Sequence, residues 1–192
     1  MSFVGAGGKS SLMLALAKEE ASEKSVIITT TTRIVPVENY ISDKDKALEE
    51  LRKRRIITLA DPAEHGKLQY PGDDYFNRAI AAADLVLIEA DGSKQLPLKF
   101  PATHEPVIHS STQKIIIVMG LSALGRPFSD VCQRHQLAGE VIGIPKGEPV
   151  SMNTIEQLLI EGYLKPLSTL NLPLHVALNQ ADKITAVDVD EA

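Results

Sequence analysis

Near the amino terminus, Gly5-Ala6-Gly7-Gly8-Lys9-Ser10 combines three glycines, a cation and a hydroxyl in six consecutive residues. The segment follows a short apolar run, Ser2-Phe3-Val4, and opens Ser10 to Glu20, whose Leu12, Ala15 and Leu16 have the spacing of a helix with one buried face. A helix start offers backbone N–H groups and a partial positive charge, so it attracts an anion. Glycines ahead of it let the main chain wrap phosphate oxygens, a lysine neutralises the β- and γ-phosphates, and a serine hydroxyl ligates Mg2+. Gly5, Ala6, Gly7, Gly8, Lys9, Ser10 and Ser11 are therefore expected to hold ATP or GTP, with Lys9 exposed and Ser10 on the metal. The spacing G-x-x-G-K-S is two residues shorter than G-x-x-x-x-G-K-[ST], whose first glycine would fall at Phe3. A tight strand-to-helix turn with a solvated lysine is the plainer alternative.

Further along, the apolar run Leu85-Val86-Leu87-Ile88 leads into Glu89-Ala90-Asp91-Gly92. Carboxylates at the C-terminal edge of a buried strand can hold Mg2+ or a water of its shell. Asp91 is expected to be the metal residue; Lys9, Asp91 and Glu89 are the catalytic candidates, with the part of Glu89 open. Thr29 to Thr32 put four hydroxyls at another strand end, where either β-propensity or γ-phosphate sensing explains them. Asn179-Gln180-Ala181-Asp182 is similar to the N-K-x-D motif of GTPases, in which the aspartate accepts from guanine, with Gln180 in the lysine position. Asn179 and Asp182 are thus candidates for the base, an Asn/Asp-rich turn being the alternative. ATP against GTP stays open.

Lys94, Lys99, His104 and Glu105 occupy one segment punctuated by Pro97, Pro101 and Pro106, which restrict the backbone. Two lysines and a histidine suit an anionic second ligand or the γ-phosphate; a surface His104–Glu105 pair is the competing reading. Arg134-His135 adds cations that a solvated helix face would equally explain.

To place these groups the chain alternates strand and helix patterns. Strands are expected at Val26 to Thr29, Ile56 to Leu59, Leu85 to Ile88, Ile115 to Val118 and Leu174 to Leu178. Helices are expected at Ser42 to Arg54, Asp73 to Ala83 and Ser151 to Gly162, and none between Gly92 and Lys114. Runs without polar alternation belong to parallel strands covered on both faces. The expected fold is α/β, three-layer with a mostly parallel sheet, P-loop NTPase-like, as one nucleotide-binding domain over residues 1–192 that is short at both ends.

A net charge of -5 argues against a general nucleic-acid partner. The one cysteine, Cys132, excludes an internal disulfide and a Cys-rich metal site, and reads as a small core residue. No apolar run reaches the roughly 20 residues a membrane span needs. With no leader-like segment, a cytoplasmic protein is expected.

The chain resembles the YqeC family, accessory proteins of selenium-dependent molybdenum hydroxylases. The resemblance is carried by Val4 to Ser10, Thr29 to Thr32, Glu89-Ala90-Asp91-Gly92-Ser93-Lys94 with Leu96-Pro97-Leu98-Lys99, Pro101 to Val107, and the Asn179/Asp182 pair. The chain departs from the family at Gln95, where glycine is usual, at Phe100 for a small residue, at His109 near a usual proline, and at Gln180. The resemblance implies a nucleotide-binding protein that assists maturation of a selenium-containing molybdenum enzyme, with that enzyme or its cofactor as partner. It supplies no reaction. An Mg-dependent NTPase or NTP-dependent transferase, a non-catalytic nucleotide-gated carrier or chaperone, and a domain with a vestigial site all remain as readings.

Overall fold

In a computed structural model, residues 1–34 and 40–184 are described, together with their side chains except those of Lys44 and Asp45. The apolar runs form strands and the amphipathic stretches form helices. In chain order these are β1 (Ser2–Gly5), α1 (Lys9–Glu20), β2 (Val26–Thr30), β3 (Tyr40–Ile41), α2 (Lys44–Arg54), β4 (Ile56–Leu59), β5 (Asp61–Pro62) and β6 (Leu68–Gln69). There follow α3 (Asp73–Ala82), β7 (Leu85–Glu89), β8 (Leu98–Lys99), β9 (Ile115–Gly120), α4 (Phe128–Val131) and β10 (Cys132–Gln133). The last are α5 (His135–Ile142), α6 (Met152–Leu159), α7 (Lys165–Ser168) and β11 (Leu174–Asn179).

Seven strands pair in the order β11-β9-β1-β7-β2-β4-β3. The pairs β1–β7, β2–β7, β2–β4, β3–β4 and β9–β11 are all parallel. Parallel strands require crossover connections, which the helices supply. Four of the five residues of β2 are buried and five of the six of β9, without alternation, as strands covered on both faces must be. The fold is therefore the expected α/β architecture around a mostly parallel sheet. Between Gly92 and Lys114 only the two-residue β8 is regular, so the expected absence of a helix there holds.

By contacts the chain divides into two compact units. One comprises Met1–Phe3, Ser10–Gly92 and Val107–Thr112. Its core joins Ile27, Ile57 and Leu59 of the strands to Ala47 and Leu51 of α2 and Tyr75 and Ala79 of α3. The other comprises Val4–Lys9, Ser93–Pro106 and Gln113–Ala192. Its core contains Ile117, Val118, Phe128, Val131, Ile155, Leu158 and Tyr163, none more than 2% exposed.

One helix face differs from expectation. The buried stripe of α1 runs through Lys9, Met13 and Ala17, four residues apart, while Ala15 is exposed and Leu12 and Leu16 flank the stripe half-buried.

Candidate functional site

The link from β1 to α1 is short and glycine-rich for two separate reasons. Gly5, Gly7 and Gly8 all have positive φ (+92°, +83° and +99°), a conformation that costs any side chain energy. Each is also approached closely. A Cβ on Gly5 would lie 2.2 Å from Val118 O, one on Gly7 2.3 Å from Gly120 N, and one on Gly8 2.8 Å from Asn179 Nδ2. The Ala6 N–H donates to Val118 O (2.8 Å) and the Gly7 N–H to Leu96 O (3.2 Å), so the first part of the loop is pinned to its own unit. At a helix start the first backbone N–H groups lie at the positive end of the helix dipole.

Lys9 corrects the expectation of an exposed cation: it is only 3% exposed, and its Nζ donates to Gly5 O at 2.5 Å. A buried ammonium needs acceptors, and the carbonyl four residues back along the same loop supplies one. The stem lies on the buried stripe of α1, which the sequence pattern had centred on the leucines.

Ser10 belongs to the other unit and meets a carboxylate there. Its Oγ donates to Glu89 Oε2 at 2.8 Å. Glu89 is the last residue of β7, held in register by Phe3↔Glu89 and Thr30↔Glu89. Its carbonyl accepts from Thr30 Oγ1 (2.9 Å) and from the Thr31 N–H (3.1 Å). Asp91 lies two residues beyond the strand and is fully buried. The threonine run serves mostly as a brace: Thr29 Oγ1 donates to Leu59 O (2.8 Å) and Thr31 Oγ1 to Val107 O (2.6 Å). A hydroxyl beside a carboxylate is an all-oxygen donor pair, the chemistry Mg2+ favours. Among the described residues no group of three or more His, Cys, Asp or Glu side chains clusters as a metal site.

In the second unit, Asn179 Nδ2 donates to Gly7 O (2.8 Å), and Gln180 Oε1 accepts from Ser122 Oγ (2.6 Å). Asp182 is exposed on a single 3-10 turn, Ala181–Lys183. Of the four second-ligand candidates, the structure brings two together. Lys99, fully buried, places Nζ 2.8 Å from Glu105 Oε2, and Lys94 and His104 lie exposed on the surface. Arg134, whose partner the sequence did not reveal, gives Nη1 to the same Oε2 at 2.8 Å and to Phe100 O at 3.2 Å. Burial raises the Glu105 carboxyl pKa, but the Lys99 hydrogen bond and charge, the Ala102 N–H and the Arg134 guanidinium outweigh it and hold the group below its usual range. Burial pushes the Cys132 thiol up to about 12, which suits an inert core residue.

The YqeC protein family model matches residues 1–136, well over half of the chain. The chain belongs to the YqeC family. It is similar to the "Uncharacterized protein YqeC" of Escherichia coli (strain K12), 36% identical over 144 residues. That match covers 67% of this chain and 54% of the relative, so the chain spans about half the length of the curated relative it matches. No solved structure matches. The YqeC-matched residues contain the glycine loop, Glu89, Asp91 and the Lys99–Glu105–Arg134 cluster, whereas Asn179 and Asp182 lie beyond them. Among the described residues no helix is long and apolar enough to cross a membrane.

Proposed function

We propose that this chain binds a nucleoside triphosphate with Mg2+ through the segment Gly5 to Ser11, and that it acts as an accessory protein in the maturation of a selenium-dependent molybdenum hydroxylase. The observation that carries the nucleotide reading is the 2.8 Å contact of Ser10 Oγ with Glu89, directly after a loop of three positive-φ glycines. A Ser hydroxyl and a strand-end carboxylate are the pair that holds a metal on the β- and γ-phosphates in phosphate-loop proteins. In this reading Ser10 and Glu89 hold the metal, and Asp91, buried two residues on, is a second carboxylate at the same strand end.

Lys9 would offer its Nζ to the terminal phosphates, charged acceptors that make stronger hydrogen bonds than neutral ones. The Gly8 to Ser11 amides would complete the cradle. The accessory role rests on the family resemblance, with a molybdenum hydroxylase or its cofactor as partner and the cytoplasm as the location. Pinning of the loop by Val118, Leu96 and Asn179 ties its shape to other segments of its unit, which supports the second reading, a nucleotide-gated carrier or chaperone.

A thermal-shift panel of ATP, GTP and CTP and their diphosphates, with and without Mg2+, tests the proposal. At about 100 times Kd a ligand adds about 2.7 kcal/mol, or roughly 5–10 °C for a chain of this size. A rise with Mg2+-triphosphates supports the reading; no rise with any nucleotide overturns it.

A further inference from the structure

The loop peptide between Gly7 and Gly8 is held from outside the loop. Asn179, the last residue of β11, donates from Nδ2 to Gly7 O at 2.8 Å, although 172 residues separate the two. The register Asn179↔Gly120 aligns that strand end with the end of β9, and the Ser122 Oγ bond to Gln180 Oε1 (2.6 Å) fastens the next residue. A Cβ on Gly8 would lie 2.8 Å from Nδ2, so the amide lies against the loop, and the Gly8 φ of +99° itself favours glycine.

Orientation is the consequence. In a trans peptide the C=O and the following N–H point in opposite directions. With the Gly7 carbonyl committed to Asn179, the Gly8 N–H faces away from it, which in the nucleotide reading is the side given to the phosphate. A peptide between two positive-φ glycines turns over with little steric resistance, and the reversed peptide would present a carbonyl to the anion. We infer that Asn179 is a positioning residue for the phosphate loop, fixing the Gly7–Gly8 peptide with its N–H toward phosphate, rather than a reader of the base. This rests on the nucleotide reading above and assigns Asn179 a role in it that is independent of the base.

The test uses a ligand without a base. Calorimetric titrations with Mg2+-tripolyphosphate, Mg2+-ATP and Mg2+-GTP are compared for the parent chain, Asn179→Ala and the near-isosteric Asn179→Leu. The expected result is an equal loss, about tenfold, for all three ligands in both variants. Unchanged tripolyphosphate affinity with a loss confined to one nucleotide overturns the inference and makes Asn179 a base contact. Failure of the parent chain to bind any of the three overturns the nucleotide reading itself. Hydrogen exchange on the parent chain provides a readout independent of whether either variant folds. Mg2+-tripolyphosphate is expected to protect the loop and residues 178–183 together, and protection of the loop alone contradicts the inference.

Discussion

Ser10 Oγ and Glu89 Oε2 stand 2.8 Å apart although they are 79 positions apart in sequence. Two elements produce the contact. The glycine loop starts α1 at Lys9, which puts Ser10 in its first turn, and the parallel pairing of β1 with β7 brings Glu89 level with Phe3. A side chain that serves only to cap or brace would tolerate loss of charge, whereas a metal ligand would not.

Glu89→Gln keeps an acceptor for Ser10 Oγ and removes the charge. The expected outcome is a triphosphate affinity in Mg2+ lowered about tenfold, with little change in its absence. Titrations with and without Mg2+ decide it; an equal effect in both would make Glu89 a brace.

Glu105 carries the buried cluster of the second unit. Glu105→Gln takes the carboxylate from the fully buried Lys99 ammonium and is expected to cost about 3 kcal/mol in denaturant unfolding. Because the folded carboxyl sits below its ordinary value of 4.5, its contribution is fully present above that pH and is lost as pH falls through the folded value. Stability of the parent chain should therefore decline on acidification below pH 4.5, and Glu105→Gln should flatten that part of the profile. Identical acid slopes would contradict this assignment.

The turn Ser93 to Leu96, closed by the Leu96 N–H on Ser93 O at 3.0 Å, has Lys94 and Gln95 at φ +49° and +62°. Positive φ at both central residues is the type I′ pattern, which favours glycine at the second. A glycine at this position would thus have a backbone cause. Gln95→Gly is expected to stabilise the chain by about 0.5–1 kcal/mol, seen as a rise of roughly 1–4 °C in melting temperature. A fall would show that the Gln95 side chain contributes more than the strain removes.

These cases also mark what the sequence made legible. The long strands were readable because uninterrupted apolar runs have few alternatives, and the glycine loop because three glycines, lysine and serine converge on one helix start. Which carboxylate meets Ser10 Oγ was not readable, since it depends on where β7 ends, and a run without alternation does not show its own register. Burial of Lys9 escaped because the stripe of α1 is centred on Met13 and Ala17 rather than on the leucines. The part of Arg134 stayed open between a ligand-facing and a solvated cation because its partner, Glu105, lies 29 residues away. The two-residue β3 is too short to leave a pattern.

The central claim is that the Gly5 to Ser11 segment binds triphosphate through Lys9, and one calorimetric comparison tests it most directly. Lys9→Met keeps an unbranched stem at this buried position and removes the ammonium from Gly5 O. The account predicts one Mg2+-triphosphate bound per parent chain, and an affinity about tenfold to a hundredfold lower in Lys9→Met with its circular dichroism unchanged. Equal affinities in the two chains would contradict it.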